Sequence, residues 1–407
     1  MTDAPTGNQE IRPARGSAGE VFLAFLKLGL TSFGGPIAHL GYFRDELVVR
    51  RKWIDEAGYA DLVALCQFLP GPASSQVGFS LGLLRGGPLG ALAAWAAFTL
   101  PSALLLVLFA FGPSWFGEGI GSGILHGLKL VAVAVVAQAV WGMAKALTPD
   151  RERAGIALLA VFLVVFVGGS IGQVSAIAVG GLLGLWLCRG LPVTQMGHLV
   201  FGVPRRVGWL ALLLFGVLLI GLPILEGVAS LQSISLFDAF YRAGALVFGG
   251  GHVVLPLLET EVVRPGWVPA DTFLAGYGAA QAVPGPLFTF AAYLGAVMGP
   301  APSGLLGATI ALVAVFLPGL LLVVGALPFW DAFRTKPLAQ AAMRGANAAV
   351  VGVLGAALYS PVWTSAILSP ADFALALTGF LLLTLWRAPP WIVVVALAAG
   401  GALLTIL

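Results

Sequence analysis

Charge is what this chain has least of. Asp and Glu number 18 and Lys and Arg 21 among 407 residues, 10% of the chain. An ordinary soluble domain carries about a quarter. So few charges cannot cover the surface of a soluble globule of this length, and that class is excluded. Disorder is excluded as well, because a disordered chain is polar, whereas 59% of these residues are hydrophobic and the mean hydropathy is +0.98. Cysteine is scarce: Cys66 and Cys188 lie far apart in apolar sequence, which gives neither a disulfide framework nor metal-ligand spacing. A net charge of +3 without a basic tract argues against nucleic acid as a partner. No P-loop pattern is present, which argues against an ATP-driven pump within the chain. The sequence offers no catalytic set for an enzyme and no cofactor motif.

What the chain does have is long apolar runs. No Asp, Glu, Lys or Arg occurs in residues 62–84, 86–117, 154–188, 207–225, 272–330, 345–371 or 388–407. A helix needs about 20 apolar residues to cross a bilayer, so the longest run holds more than one span. The runs are continuous rather than alternating, which favours helices over a β-barrel. The lipid bilayer is therefore the first partner. Glycine (55) and proline (26) are abundant, and they cluster where a run would otherwise be one helix. The clusters are Phe33-Gly34-Gly35-Pro36, Pro70-Gly71-Pro72, Phe248-Gly249-Gly250-Gly251 and Pro284-Gly285-Pro286. Irregular backbone at membrane depth persists only where protein or a water-filled cavity satisfies it, so these four clusters are the candidate sites.

The clusters occur in one order twice. A shift of about 215 residues sets Phe25, Lys27, Gly29, Gly34, Gly35 and Glu46 on Phe240, Arg242, Gly244, Gly249, Gly250 and Glu261. With one residue lost, Gln67, Pro70, Gly71 and Pro72 fall on Gln281, Pro284, Gly285 and Pro286; further on, Pro101 meets Pro318 and Gly127 meets Gly345. The expected organisation is a cytoplasmic tail (1–17), a first repeat (18–190), a connector with one span (191–234) and a second repeat (235–407). Arg44, Arg50, Arg51 and Lys52 crowd one loop, while the matching loop of the second half has only Arg264. The positive-inside rule then puts the two loops on opposite sides, with the N-terminus cytoplasmic, and an odd connector after an even-numbered half inverts the second half. The fold class expected is an all-α polytopic membrane protein of two inverted repeats with broken or re-entrant helices. In each half two broken hairpins precede four full spans.

Inverted repeats with discontinuous helices are a transporter architecture that binds its cargo near the midplane. After Pro72 a half-helix begins with Ala73, Ser74, Ser75 and Gln76; after Pro286 comes Leu287, Phe288 and Thr289. Helix starts offer unpaired N–H groups and the positive end of the dipole, which favours an anion. Gly34, Gly35, Gly249 and Gly250 allow close backbone approach. Lys27 and Arg242 share a repeat position inside apolar sequence and are candidates to offset the anion's charge, although Asp238 one turn back could pair Arg242. Gln67 and Gln281 align three residues before each Pro-Gly-Pro and join the candidate set. Lys129 is an isolated cation whose aligned residue is Asn347. His39 and His252 flank the glycine clusters without aligning, and ordinary packing or hydrogen bonding is the expected role for both.

The segments Phe33–Arg44, Gln67–Gln76, Phe248–Pro256 and Gln281–Pro286 together closely resemble the chromate ion transporter family in its two-domain, long-chain form. The resemblance covers most of residues 20–407. It implies a bacterial inner-membrane secondary transporter that exports chromate and confers chromate resistance, driven by the proton motive force or the membrane potential, with sulfate as a competitor. It assigns no enzymatic activity. The residues themselves reach only as far as "anion": sulfate or another oxyanion, or a small-anion channel, remains an alternative, and the oligomeric state stays open, a homodimer included.

Overall fold

The structure is a computed structural model and describes residues 16–112, 120–189, 202–229, 231–248, 251–333 and 336–405. Gly249, Gly250 and most of the expected tail lie outside these. Among the described residues every regular element is a helix. The first half comprises α1 (Ala18–Thr31), α2 (Gly35–Phe43, continued by a π-helical turn over Arg44–Arg50), α3 (Glu56–Phe68), α4 (Ala73–Phe111), α5 (Ile120–Leu147), α6 (Arg151–Val167) and α7 (Gly169–Leu187). Helix α8 (Arg205–Ala229) follows as a connector. The second half comprises α9 (Gln232–Ala245), α10 (Val254–Val262), α11 (Ala270–Ala280), α12 (Phe290–Val297), α13 (Gly304–Ala326), α14 (Trp330–Phe333), α15 (Pro337–Ala357), α16 (Thr364–Ala366), α17 (Pro370–Thr384) and α18 (Pro390–Leu404).

Local chemistry sets many of these bounds. Ser17 caps α1 by accepting from the Glu20 N–H at 3.1 Å, Asp55 caps α3 from Gly58 at 2.8 Å, and Asp150 caps α6 from Arg153 at 2.9 Å. Breaks fall at the glycine and proline clusters. Helix α4 is two helices joined at Gly87, whose φ of 65° and ψ of −159° are non-helical, with Pro88 next. A half-helix thus runs from Ala73 to the break, and a long helix from there to Phe111. Helices α1 and α3, 14 and 13 residues long, reach only about 20 Å, short of the bilayer's hydrocarbon core of about 30 Å.

Among the described residues six helices are long and apolar enough to cross a membrane: α4, α5, α7, α8, α13 and the helix spanning α15 and α16. Helices α6, α17 and α18 are apolar but shorter. Large apolar side chains such as Leu104, Phe166, Trp186, Leu213 and Leu305 stand exposed on the outside, as lipid contact requires. Connector α8 buries only Gly208, Ala211 and Leu222 and packs on α9 and α13.

The two halves are exchanged into each other. Helices α6 and α7 pack on α15 of the second half, while α17 and α18 pack on α5 of the first. Glycines permit both crossings. A Cβ on Gly184 or Gly345 would meet the other residue's Cα at 2.8 and 2.6 Å, and one on Gly401 would meet the Cα of Gly127 at 2.7 Å. Lipid gives apolar side chains no reason to leave it, so close backbone packing at small residues holds such helices together.

Candidate transport site

The repeated clusters meet crosswise. Gly71, in the first Pro-Gly-Pro, donates its N–H to the carbonyl of Val247, just before the second half's glycine cluster, at 2.7 Å. Gly285, in the second Pro-Gly-Pro, donates to the carbonyl of Ser32, just before the first half's cluster, at 2.9 Å. Ser32 and Val247 occupy the same repeat position, so the two bonds are equivalents. Each glycine has φ in the left-handed region, +121° for Gly71 and +103° for Gly285, and each lies against a long helix of the other half. A Cβ on Gly71 would come within 2.9 Å of the Gly319 Cα, and one on Gly285 within 2.9 Å of the Ser102 hydroxyl. Gln76 fastens the first turn further, donating from Nε2 to the carbonyls of Pro70 and Gly319, each at 2.9 Å.

A small cavity lies at one of these crossings. Gly34 and Gly35 line it from the first half; His252, Ala280, Gln281, Val283, Gly285, Leu287 and Pro390 line it from the second. It holds about 20 Å³, roughly the room of one water molecule and too little for a tetrahedral oxyanion. Among the described residues, polar side chains enter it only from His252 and Gln281. The Nδ1 of His252 lies 2.8 Å from the Tyr277 hydroxyl, and its Nε2 lies 3.9 Å from where a Cβ on Gly35 would stand.

The other expected site residues are distributed unevenly. Pro70 and Pro72 flank Gly71 at its crossing, and Pro284 and Pro286 flank Gly285 beside the cavity. The α4 half-helix begins after Pro72 as expected, with the Ala73–Ser75 N–H groups in its first turn, where a helix has no internal acceptor. The Ser74 hydroxyl lies 3.3 Å from Nδ1 of the buried His39. The Ser75 hydroxyl is buried with no hydrogen-bond partner among the described residues. The second half-helix starts instead with a tight 3-10 turn over Leu287–Thr289, and Thr289 donates its hydroxyl back to the Pro286 carbonyl at 2.7 Å. That hydroxyl therefore caps its own turn. Gln67 is exposed, whereas its counterpart Gln281 lines the cavity. Gly249 and Gly250 lie outside the described residues.

The cations at the repeated position are not free. Lys27 is bonded to Glu46 at 2.8 Å, and Arg242 to Asp238 and Glu261 at 2.8 and 3.0 Å. Glu46 and Glu261 are themselves repeat equivalents. Each pair ties the first helix of a half to the segment after its glycine cluster, and neither cation lines the cavity. In these pairs each cation is matched by a carboxylate, which leaves little net charge for an anion. Lys129 is likewise paired, with Asp271 at 2.9 Å.

Glu46 also binds Arg51 at 2.8 Å and Arg50 at 3.3 Å, in the loop read as lying outside the membrane. Burial alone would raise its carboxyl; the bonds from Lys27 and Arg51 and the charges of Lys27 and Arg50 override that and hold it below its ordinary value. A depressed carboxyl stabilises the fold above its unfolded value, and that stability is lost as pH falls through the folded one. The detergent-solubilised protein should therefore melt at a nearly constant temperature from neutral pH to about 5, and lower below about 4. Glu46→Gln should cost about 1–2 kcal/mol at pH 7, with Lys27 and Arg50 half-exposed, and the difference from wild type should shrink in acid. A difference independent of pH would show that the charge of Glu46 is not what holds the loop.

Paired broken helices, crossed between two repeated halves around a small cavity in an apolar helical body, define a polytopic membrane transporter rather than an enzyme. The chain belongs to the chromate transporter family, whose model matches residues 19–185 and 234–402, one stretch in each half. A chromate transport protein of Pseudomonas aeruginosa is 29% identical over 423 aligned residues, covering 98% of this chain and 94% of that protein. One of Cupriavidus metallidurans is 27% identical, covering 95% and 92%. The uncharacterized transporter YwrA of Bacillus subtilis is 35% identical over 133 residues, which are 32% of this chain but 70% of that protein. No solved structure matches the chain.

Sequence reasoning missed His252 as a lining residue, and with it Tyr277 and Pro390. The signal for His252 was its place beside a glycine cluster, discounted because no histidine aligns with it. Gln76 was seen only as part of a helix start, not as the tie to α13.

Proposed function

We propose that the protein carries chromate, a tetrahedral dianion, out across a bacterial inner membrane. The observation that carries this reading is the crossed pair of Pro-Gly-Pro and glycine turns, in a chain that is 27–29% identical to proteins named for chromate transport over nearly its whole length. Backbone N–H groups of Gly34, Gly35, Ala73–Ser75, Leu287 and Phe288 are the donors for the anion's oxygens, with Gln281 beside them; the Thr289 N–H is already given to the Pro286 carbonyl. The halves 18–190 and 235–407 are read as inverted, with 1–17 a cytoplasmic tail and 191–234 a connector; the asymmetry of loop charge supports this. A cavity with room for about one water must widen for an oxyanion, and rocking of one repeat against the other supplies that motion.

With the inside negative, export of a dianion runs downhill by about 4.6 kcal/mol per 100 mV, so proton coupling is not required by energetics. The test is chromate flux in proteoliposomes under an imposed potential. Saturable flux directed away from the negative side, reduced by excess sulfate, is expected. Flux that does not saturate would replace the carrier with an anion channel. Equal movement of sulfate, with chromate only competing, would make the protein a general oxyanion exchanger.

A further inference from the structure

The cavity raises a problem of charge. An anion taken from water into an apolar enclosure is costly unless a countercharge or several donors meet it. The two cations expected to do so are bound to Glu46 and Glu261, and neither lines the cavity. Of the nine described residues that line it, His252 alone has a side chain that can become positive. We propose that His252 is the countercharge of the transported oxyanion, binding it through Nε2 as an imidazolium, with Tyr277 as the residue that positions the ring. This rests on the cavity being the transport site.

The geometry suits the role. The ring is anchored at Nδ1 by the Tyr277 hydroxyl at 2.8 Å, which leaves Nε2 turned across the cavity toward Gly35. A hydroxyl serves both protonation states: it donates to Nδ1 of the neutral ring and accepts from Nδ1–H of the imidazolium. In the neutral state that bond puts the remaining proton on Nε2, which faces the anion as a donor. The second proton comes from bulk water when the cavity opens. Gly251, next in chain, lies against Pro36, and the turn it shares with His252 packs on α10 and α15. The titratable groups on the neighbouring elements face elsewhere. His39 of α2 is on Ser74; Glu259 of α10 is beside the Thr260 hydroxyl and Glu261 on Arg242 and Ser170; Arg344 of α15 is on Gln340 and the Cys188 carbonyl. Tyr277, from α11, is the titratable group in direct contact.

The arrangement is asymmetric. The residue aligned with His252 in the first half is Ile37, so the sequence provides one such imidazole rather than two. One titratable countercharge for one anion follows.

The experiment measures chromate uptake into proteoliposomes at several pH values for wild type, His252→Gln, His252→Ala and Tyr277→Phe, with recovery of monodisperse protein checked for each. Comparison at each pH cancels chromate's own protonation, since all variants meet the same mixture. At acid pH, His252→Gln should raise the half-saturating chromate concentration about tenfold, the loss of one charge-assisted hydrogen bond, with little change in maximal flux. The gap to wild type should close as pH rises and the wild-type ring loses its charge. Tyr277→Phe should keep the pH-dependent gap to His252→Gln but with weaker binding than wild type. A His252→Gln protein that is monodisperse and matches wild type at every pH would overturn the inference while leaving chromate transport intact. A wild type that moves no chromate would overturn the transport reading and this inference with it.

Discussion

Gly71→Ala should abolish most chromate transport, by about 100-fold, in a protein that still inserts and extracts normally. Three effects coincide at this residue. Its φ of +121° lies where a side chain costs about 1–3 kcal/mol. A new Cβ would stand 2.9 Å from the Gly319 Cα, a backbone atom that cannot rotate away. Its N–H holds the Val247 carbonyl at 2.7 Å, and any shift that relieves the contact loosens that bond. About 2.7 kcal/mol of distortion at the crossing is enough for a 100-fold loss. Gly285→Ala is the same change in the other half and should cost less, about tenfold, because its nearest neighbour is the Ser102 hydroxyl, which can turn aside. Ser102 is the repeat equivalent of Gly319, so Ser102→Gly should restore part of the loss in Gly285→Ala. Flux in vesicles, set against protein recovered by size-exclusion chromatography, separates a transport defect from a folding one. Full activity in Gly71→Ala would mean that the crossed turns are not part of the transport path.

How far the sequence foresaw these residues depends on distance along the chain. Which positions are equivalent was legible, because Gly, Pro and Gln recur in register; the equivalence of Ser32 and Val247 follows from the same shift. What they touch was not legible. A repeat in one dimension says that Gly71 and Gly285 play one role, but not that each bonds to the residue just before the glycine cluster of the opposite half, Val247 or Ser32. Lys27 shows the same limit. No acid lies one helical turn from Lys27, yet its partner Glu46 lies 19 residues on, across the α1–α2 hairpin. The alignment of Glu46 with Glu261 was in view, and only the folded hairpin turns that coincidence into two ion pairs. His252 was hidden for the opposite reason: it breaks the symmetry that made the rest visible.

The exchange of helices between halves leads to a second large effect. Expressed alone, residues 1–189 or 202–407 should give no transport, whereas the two expressed together should restore it. In the first half by itself, α6 and α7 have lost α15, and α5 has lost α17 and α18. The seams left open are lined by Gly180 and Gly184 on one side and by Gly123 and Gly127 on the other, where backbones were in contact. Lipid chains are too thick to fill such grooves as a helix backbone does, so the packing is simply forfeited. The glycines recur at matching repeat positions, which leaves an isolated half one recourse: α7 of one copy can take the place of α18 on α5 of another. A half that survives alone should therefore be a dimer. It still should not transport, because the cavity draws Gly34 and Gly35 from one half but His252 and Gln281 from the other. The Bacillus subtilis relative, 70% of which is spanned by 133 residues, is about half the length of this chain. Cross-linking and light scattering of each separate half, beside flux from the pair, would decide. A stable monomeric half would show that α6 and α7 can fold back on their own α5, and the exchange would then be a convenience of the fused chain instead of a condition of its stability.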